Sequence, residues 1–103
     1  MNEAKINRLK DGGWVLGDAA DFLNLSSEEA AFVEMKLVLS RGLKTLRTER
    51  RMTQQSLANR MGSTQSRIAK AEAGDPSITV DLLVRALFAT GATRQDLATM
   101  LSG

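Results

Sequence analysis

Residues 54–73 read QQSLANRMGSTQSRIAKAEA, and this stretch decides the fold. Two short helices cross near a right angle only where their backbones approach closely and one tight turn joins them. In this twenty-residue frame Ala58, at the fifth place, is small enough to lie beneath a second helix, and Gly62, at the ninth, suits the turn. Thr53 is placed to cap a helix from Gln54 to Met61. Ser63 or Thr64 can cap the next, which runs to about Ala73 and stops at Gly74-Asp75-Pro76. Leu57, Met61, Ile68 and Ala71 supply a buried side, while Gln65, Ser66, Arg67, Lys70 and Glu72 leave the second helix hydrophilic outside a narrow apolar stripe.

Working outward, Leu25-Ser26-Ser27-Glu28-Glu29-Ala30 reads as a helix start, with Ser26 as cap and Glu29 three residues later as in a capping box. Phe32, Val33, Leu39, Leu43 and Leu46 then recur at mostly helical spacing, which predicts a long first helix from Glu28 to about Arg51. Met35, Leu37 and Val38 widen its apolar surface in the first half, so that half meets the arm, a second subunit or another protein. Beyond the central frame, a fourth helix is expected over Val80 to Thr90, capped by Thr79 and closed by Gly91. A fifth is expected over Arg94 to Leu101, with Thr93 as cap and Asp96 in its first turn. Gly12, Gly13 and Gly17 with scattered Trp14, Val15, Leu16, Phe22 and Leu23 make the start an irregular arm. The expected organisation is an all-α chain: an arm over residues 1–25 and a five-helix domain over residues 26–103.

Composition narrows what such a domain can do. The 103 residues include no cysteine and no histidine, which removes disulfides, soft metal sites, thiol nucleophiles and the side chain best suited to proton transfer near neutral pH. The carboxylates form no paired arrangement and no glycine-rich phosphate cradle occurs, so neither an enzyme nor a cofactor is expected. No apolar run approaches a membrane span and Met1 to Lys10 is polar, so a cytoplasmic protein without a membrane partner is expected. The net charge of +2 hides an asymmetry. Residues 36–72 carry nine Lys/Arg against two Asp/Glu, whereas residues 1–35 carry three against seven. A basic segment of that size in a compact domain points to a polyanionic partner, and double-stranded DNA fits it.

The polar side of residues 65–73 suits that partner. Major-groove readout wants side chains that both donate and accept, with cations that reach guanine or phosphate, all from the first half of a helix. Gln65, Ser66, Ala69 and Lys70 are the candidate base readers, Ala69 being suited to a thymine methyl. Gln54, Ser63, Thr64 and Arg67 are the candidate phosphate contacts.

Leu46-Arg47, Arg51-Met52-Thr53-Gln54-Gln55-Ser56-Leu57-Ala58, Met61-Gly62, Gln65-Ser66-Arg67-Ile68 and Glu72-Ala73-Gly74 together resemble the Xre/Cro-type group of phage repressors and bacterial regulators, over roughly residues 37–101. The resemblance implies a five-helix lambda-repressor-like domain that binds operator DNA as a homodimer. It also implies that Gln54 is a phosphate-binding glutamine, that Gln65, Ser66 and Lys70 read bases, and that Arg47 and Glu72 form a buried or half-buried ion pair positioning the motif. Ala69, Ala71 and Ala73 make the recognition helix small-sided, which shifts weight onto few contacts and DNA shape. Relatives often pair through the fourth and fifth helices; here Leu97, Met100 and Leu101 serve either that face or the protein's own core.

Two other roles stay open. The chain size and the Leu25–Ala30 lead into a long first helix resemble antitoxins of the HigA type, which repress their own operon. That likeness implies a basic toxin partner for Asp18, Asp21, Glu28, Glu29 and Glu34, against an arm that merely packs on the first helix. A protein-interaction adaptor that keeps the helix-turn-helix shape is the third reading.

Overall fold

A computed structural model of the chain describes residues 26–103. The expected arm over residues 1–25, with Trp14, Asp18 and Asp21, lies outside the described residues. Those described form five helices: α1 (Ser27–Glu49), α2 (Gln54–Met61), α3 (Gln65–Ala73), α4 (Val80–Ala89) and α5 (Arg94–Ser102). None of them is long and apolar enough to cross a membrane.

Backbone contacts divide the chain into two units, Met1–Met35 and Lys36–Gly103. Of the first unit, the described part is the start of α1. There Ser26 Oγ accepts from the Glu29 amide at 3.2 Å and the Ser26 amide donates to Glu29 Oε1 at 3.0 Å, the reciprocal box expected from the sequence.

The second unit holds one core. Its centre is Leu39 and Leu43 of α1, Leu57 and Ala58 of α2, Ile68 and Ala71 of α3, and Leu83, Ala86 and Leu87 of α4, with Ile78 from the α3–α4 connection. The helices are short, so packing of these faces rather than intrinsic propensity holds them. α2 packs against α3 and also touches α4. Ala58 is fully buried, as the close crossing requires, and Gly62 takes φ 66° at the turn while the Ser63 amide donates to the Ala58 carbonyl at 2.8 Å. Met61, expected on the buried side, is only half-buried.

Threonine starts four of the helices. Thr53, Thr64, Thr79 and Thr93 each sit in extended backbone and accept from the amide three residues on. Each such cap contributes about 1 kcal/mol. In α5 the Thr93 amide also donates to Asp96 Oδ2 at 2.8 Å, and Arg50 Nη2 approaches the same oxygen at 3.8 Å. Arg50 Nη1 donates to the Thr90 carbonyl at 3.0 Å, tying the end of α1 to the α4–α5 corner. α5 buries no residue fully. It meets α1 at Gly42, where any side chain would collide with the Met100 thioether.

The first helix stops two residues earlier than expected. Its end is a left-handed residue, Arg51 at φ 56°, with the Met52 amide donating to the Arg47 carbonyl and the Arg51 amide to the Thr48 carbonyl, each at 3.0 Å. α4 ends at Ala89 rather than Thr90, because the Thr90 amide and hydroxyl both turn back to close the helix and Gly91 reverses the chain at φ 98°. α5 is one residue longer than expected, reaching Ser102.

Two outcomes check this packing. Ala58→Leu forces volume into the α2–α3 crossing and lowers the unfolding free energy by about 1–3 kcal/mol, read from the urea midpoint. A stability indistinguishable from the parent would mean that the crossing is loose. Acid should also weaken the fold. Asp96 is held below its ordinary value by the Thr93 amide first, then by the Thr93 hydroxyl and Arg50, and Glu29 is held down by the Ser26 amide and hydroxyl. A lowered carboxylate stabilises the fold in full above its unfolded value, and loses that contribution as pH falls through the folded one. Melting temperature should therefore fall below about pH 4, and Asp96→Asn should flatten that decline.

Candidate nucleic-acid interface

The N-terminal half of α3 is outward. Gln65, Ser66, Arg67 and Lys70 are exposed, as is Thr64 ahead of them, while Ala69 and Ser63 are half-buried. Thr64 Oγ1 is engaged as the cap, accepting from the Arg67 amide at 3.2 Å, so its hydroxyl proton is what it can offer a ligand. Ser63 donates its amide within the turn. α3 therefore presents a polar edge flanked by two cations, with its buried side anchored by Ile68 and Ala71.

Beneath that edge lies a polar network. Arg47 of α1 meets Glu72 of α3 side-on: Nε donates to Oε2, and Nη2 donates to Oε1 at 3.0 Å. The Glu72 side chain is 4% exposed and that of Arg47 11%, so the pair is largely shielded from water. The hydrogen bonds from Arg47 to Glu72 outweigh the desolvation of the guanidinium and hold its pKa above the usual arginine value. Arg47 Nη1 donates to the Met52 carbonyl at 2.7 Å, so one guanidinium joins α1, the α1–α2 connection and α3.

Gln54, at the first turn of α2, extends the network outward. Its Nε2 donates to Glu72 Oε1 at 3.0 Å, and its Oε1 accepts from Gln65 Nε2 at 2.5 Å. The polarity of this chain is forced. An ionised carboxylate only accepts, so Gln54 must turn its NH2 toward Glu72 and its oxygen toward Gln65, which must then give an N–H. The Gln65 amide is left with Oε1 and one N–H uncommitted, and Gln54 with one N–H. The resemblance implied the Arg47–Glu72 pair, and gave Gln54 and Gln65 separate roles; the structure brings all four into one line. The link from Glu72 through Gln54 to Gln65 depends on α2 and α3 meeting, which no spacing along one helix signals.

Two arginines of the basic segment are committed elsewhere. Arg50 holds the α4–α5 corner, and Arg60 Nη1 donates to the Ala89 carbonyl at 2.9 Å at the end of α4. Among the described residues no group of three His, Cys, Asp or Glu is arranged to hold a metal ion.

A family model described as helix-turn-helix matches residues 43–97, which contain this network and all of α2, α3 and α4. No curated protein and no solved structure matches the chain.

Breaking the buried pair tests its positioning role. Glu72→Ala leaves Arg47 and Gln54 without their acceptor and should cost about 3–5 kcal/mol of stability, measured by chemical denaturation. Glu72→Gln, which keeps the shape but not the charge, should fall between the two. A loss under 1 kcal/mol for Glu72→Ala would show that the network does not organise the domain.

Proposed function

The chain belongs to the helix-turn-helix family and is a DNA-binding regulator; from that premise we propose that it reads a palindromic operator as a homodimer and represses transcription there. The observation that supports sequence-specific reading is the fixed amide of Gln65, which keeps one acceptor and one donor free at the start of α3. That pair fits the N6 amine and N7 of adenine in the major groove.

Ser66 and Lys70, exposed on α3, are the other proposed readers, with half-buried Ala69 offering a methyl to thymine. Gln54, Thr64, Ser63 and Arg67 are proposed to contact phosphates, Gln54 through its uncommitted N–H. These contacts would fix the register without selecting sequence. The basic character of residues 36–72 supplies the attraction that both kinds of contact share.

Pairing is proposed through α4 and α5, where Phe88 is 44% and Leu101 47% exposed. Two-fold symmetry would set the two α3 helices one turn of duplex apart, roughly 34 Å.

Selection from random duplexes should return a palindromic consensus with adenine within each half-site. With 6 to 10 phosphates neutralised per dimer, log affinity should fall against log salt with a slope of about −5 to −9. Gln65→Ala or Lys70→Ala should weaken the selected duplex more than a random one, whereas Gln54→Ala should weaken both. Equal losses from all three changes would remove the division between reading and positioning, and a slope near zero would reject duplex binding altogether.

A further inference from the structure

Arg51 is the only residue other than glycine with positive φ among the described residues, at 56°. It stands at the left-handed position that ends α1, a place where glycine carries no steric penalty and a side chain with a Cβ does. The other positive-φ positions, Gly62, Gly74 and Gly91, all hold glycine. No contact of the arginine side chain inside the fold offsets that penalty. Its side chain is exposed and makes no hydrogen bond or ion pair among the described residues, unlike those of Arg47, Arg50 and Arg60.

Its position is nonetheless firmly set. The amides of Arg51 and Met52 both donate back to α1, and the Met52 carbonyl is held by Arg47, the residue that also anchors Glu72 and through it Gln54 and Gln65. A backbone position in a strained conformation, carrying an uncommitted guanidinium, is thus fixed three residues before Gln54 on the segment that Arg47 ties to α3. A backbone outlier whose side chain has no internal contact points to a role for that side chain outside the chain.

We propose that Arg51 is a phosphate-binding residue of the duplex interface, a cation carried on the fixed backbone of the α1–α2 connection. The proposal rests on the reading given under Proposed function. The guanidinium would supply a charge-assisted, geometrically defined contact to phosphate oxygens, independent of sequence.

Arg51→Gly, Arg51→Lys and the parent protein separate the possibilities, each measured by thermal melting and by titration of both the selected duplex and a random-sequence duplex across salt concentrations. Arg51→Gly should melt higher, by roughly 4–8 °C, because the left-handed position no longer carries a Cβ. It should at the same time bind both duplexes about tenfold more weakly per half-site at 0.1 M salt, with the salt slope smaller by about 1 for each protomer. Arg51→Lys should keep the parent's slope and its lower melting temperature. A more stable Arg51→Gly that binds both duplexes with the parent's affinity and slope overturns the inference alone. An unchanged melting temperature overturns it too, by removing the strain on which it stands. A parent protein that binds neither duplex overturns the inference together with the reading beneath it.

Discussion

The contact on which this domain depends is the pairing of Arg47 with Glu72 across α1 and α3. A carboxylate with 4% of its side chain exposed cannot be left short of donors, and it takes two from Arg47 and one from Gln54. The third arm of the same guanidinium fixes the Met52 carbonyl, so the place where α1 ends and α2 begins is set by the group that sets α3. The aliphatic core around Leu43, Leu57, Ile68 and Leu83 supplies the stabilising burial, while the ion pair restricts how that core can be assembled. Aliphatic side chains tolerate several packings. A bidentate pair held in one geometry by a third donor tolerates few.

From this anchor, order passes outward in steps that alternate acceptor and donor. Glu72 dictates the orientation of Gln54, and Gln54 that of Gln65. An exposed glutamine would otherwise sample both amide orientations at little energetic difference. Here the outermost member inherits its polarity from a buried charge, and its rotameric freedom is already reduced before any ligand arrives.

Much of this was legible from residues alone, and the reasons are local. Thr53, Thr79 and Thr93 cap where they were expected, Thr64 rather than Ser63 caps α3, and Gly62 turns the chain where the twenty-residue frame required it. Such signals act within one turn of helix, so sequence proximity carries them. The basic segment and the polar side of α3 were equally visible, since composition and periodicity suffice. The end of α1 was visible to within two residues, at about Arg51, but the left-handed turn of Arg51 itself was not. An arginine reads as a good helix former, and only the backbone hydrogen bonds of Met52 and Arg51 to Arg47 and Thr48 show that the helix has stopped. The linkage of Gln54 to Gln65, and the separate duties of Arg50 and Arg60, depend on which side chains meet across helices, a matter of tertiary geometry that spacing along one helix does not encode.

The C-terminal helix is attached differently from the rest. It contributes no fully buried residue, and its hold on α1 is the Met100 thioether lying over Gly42 together with the long approach of Arg50 to Asp96. An element secured by one flexible side chain and a partly solvated charge pair sits at the low end of the local stability scale. Its amides should be the first of the five helices to exchange with deuterated solvent, at a free energy well short of global unfolding, while those of α2 and α3 persist. The protein thus carries a detachable flank beside a rigid centre, and detaching it would uncover α1 at Gly42 without loosening the network around Glu72.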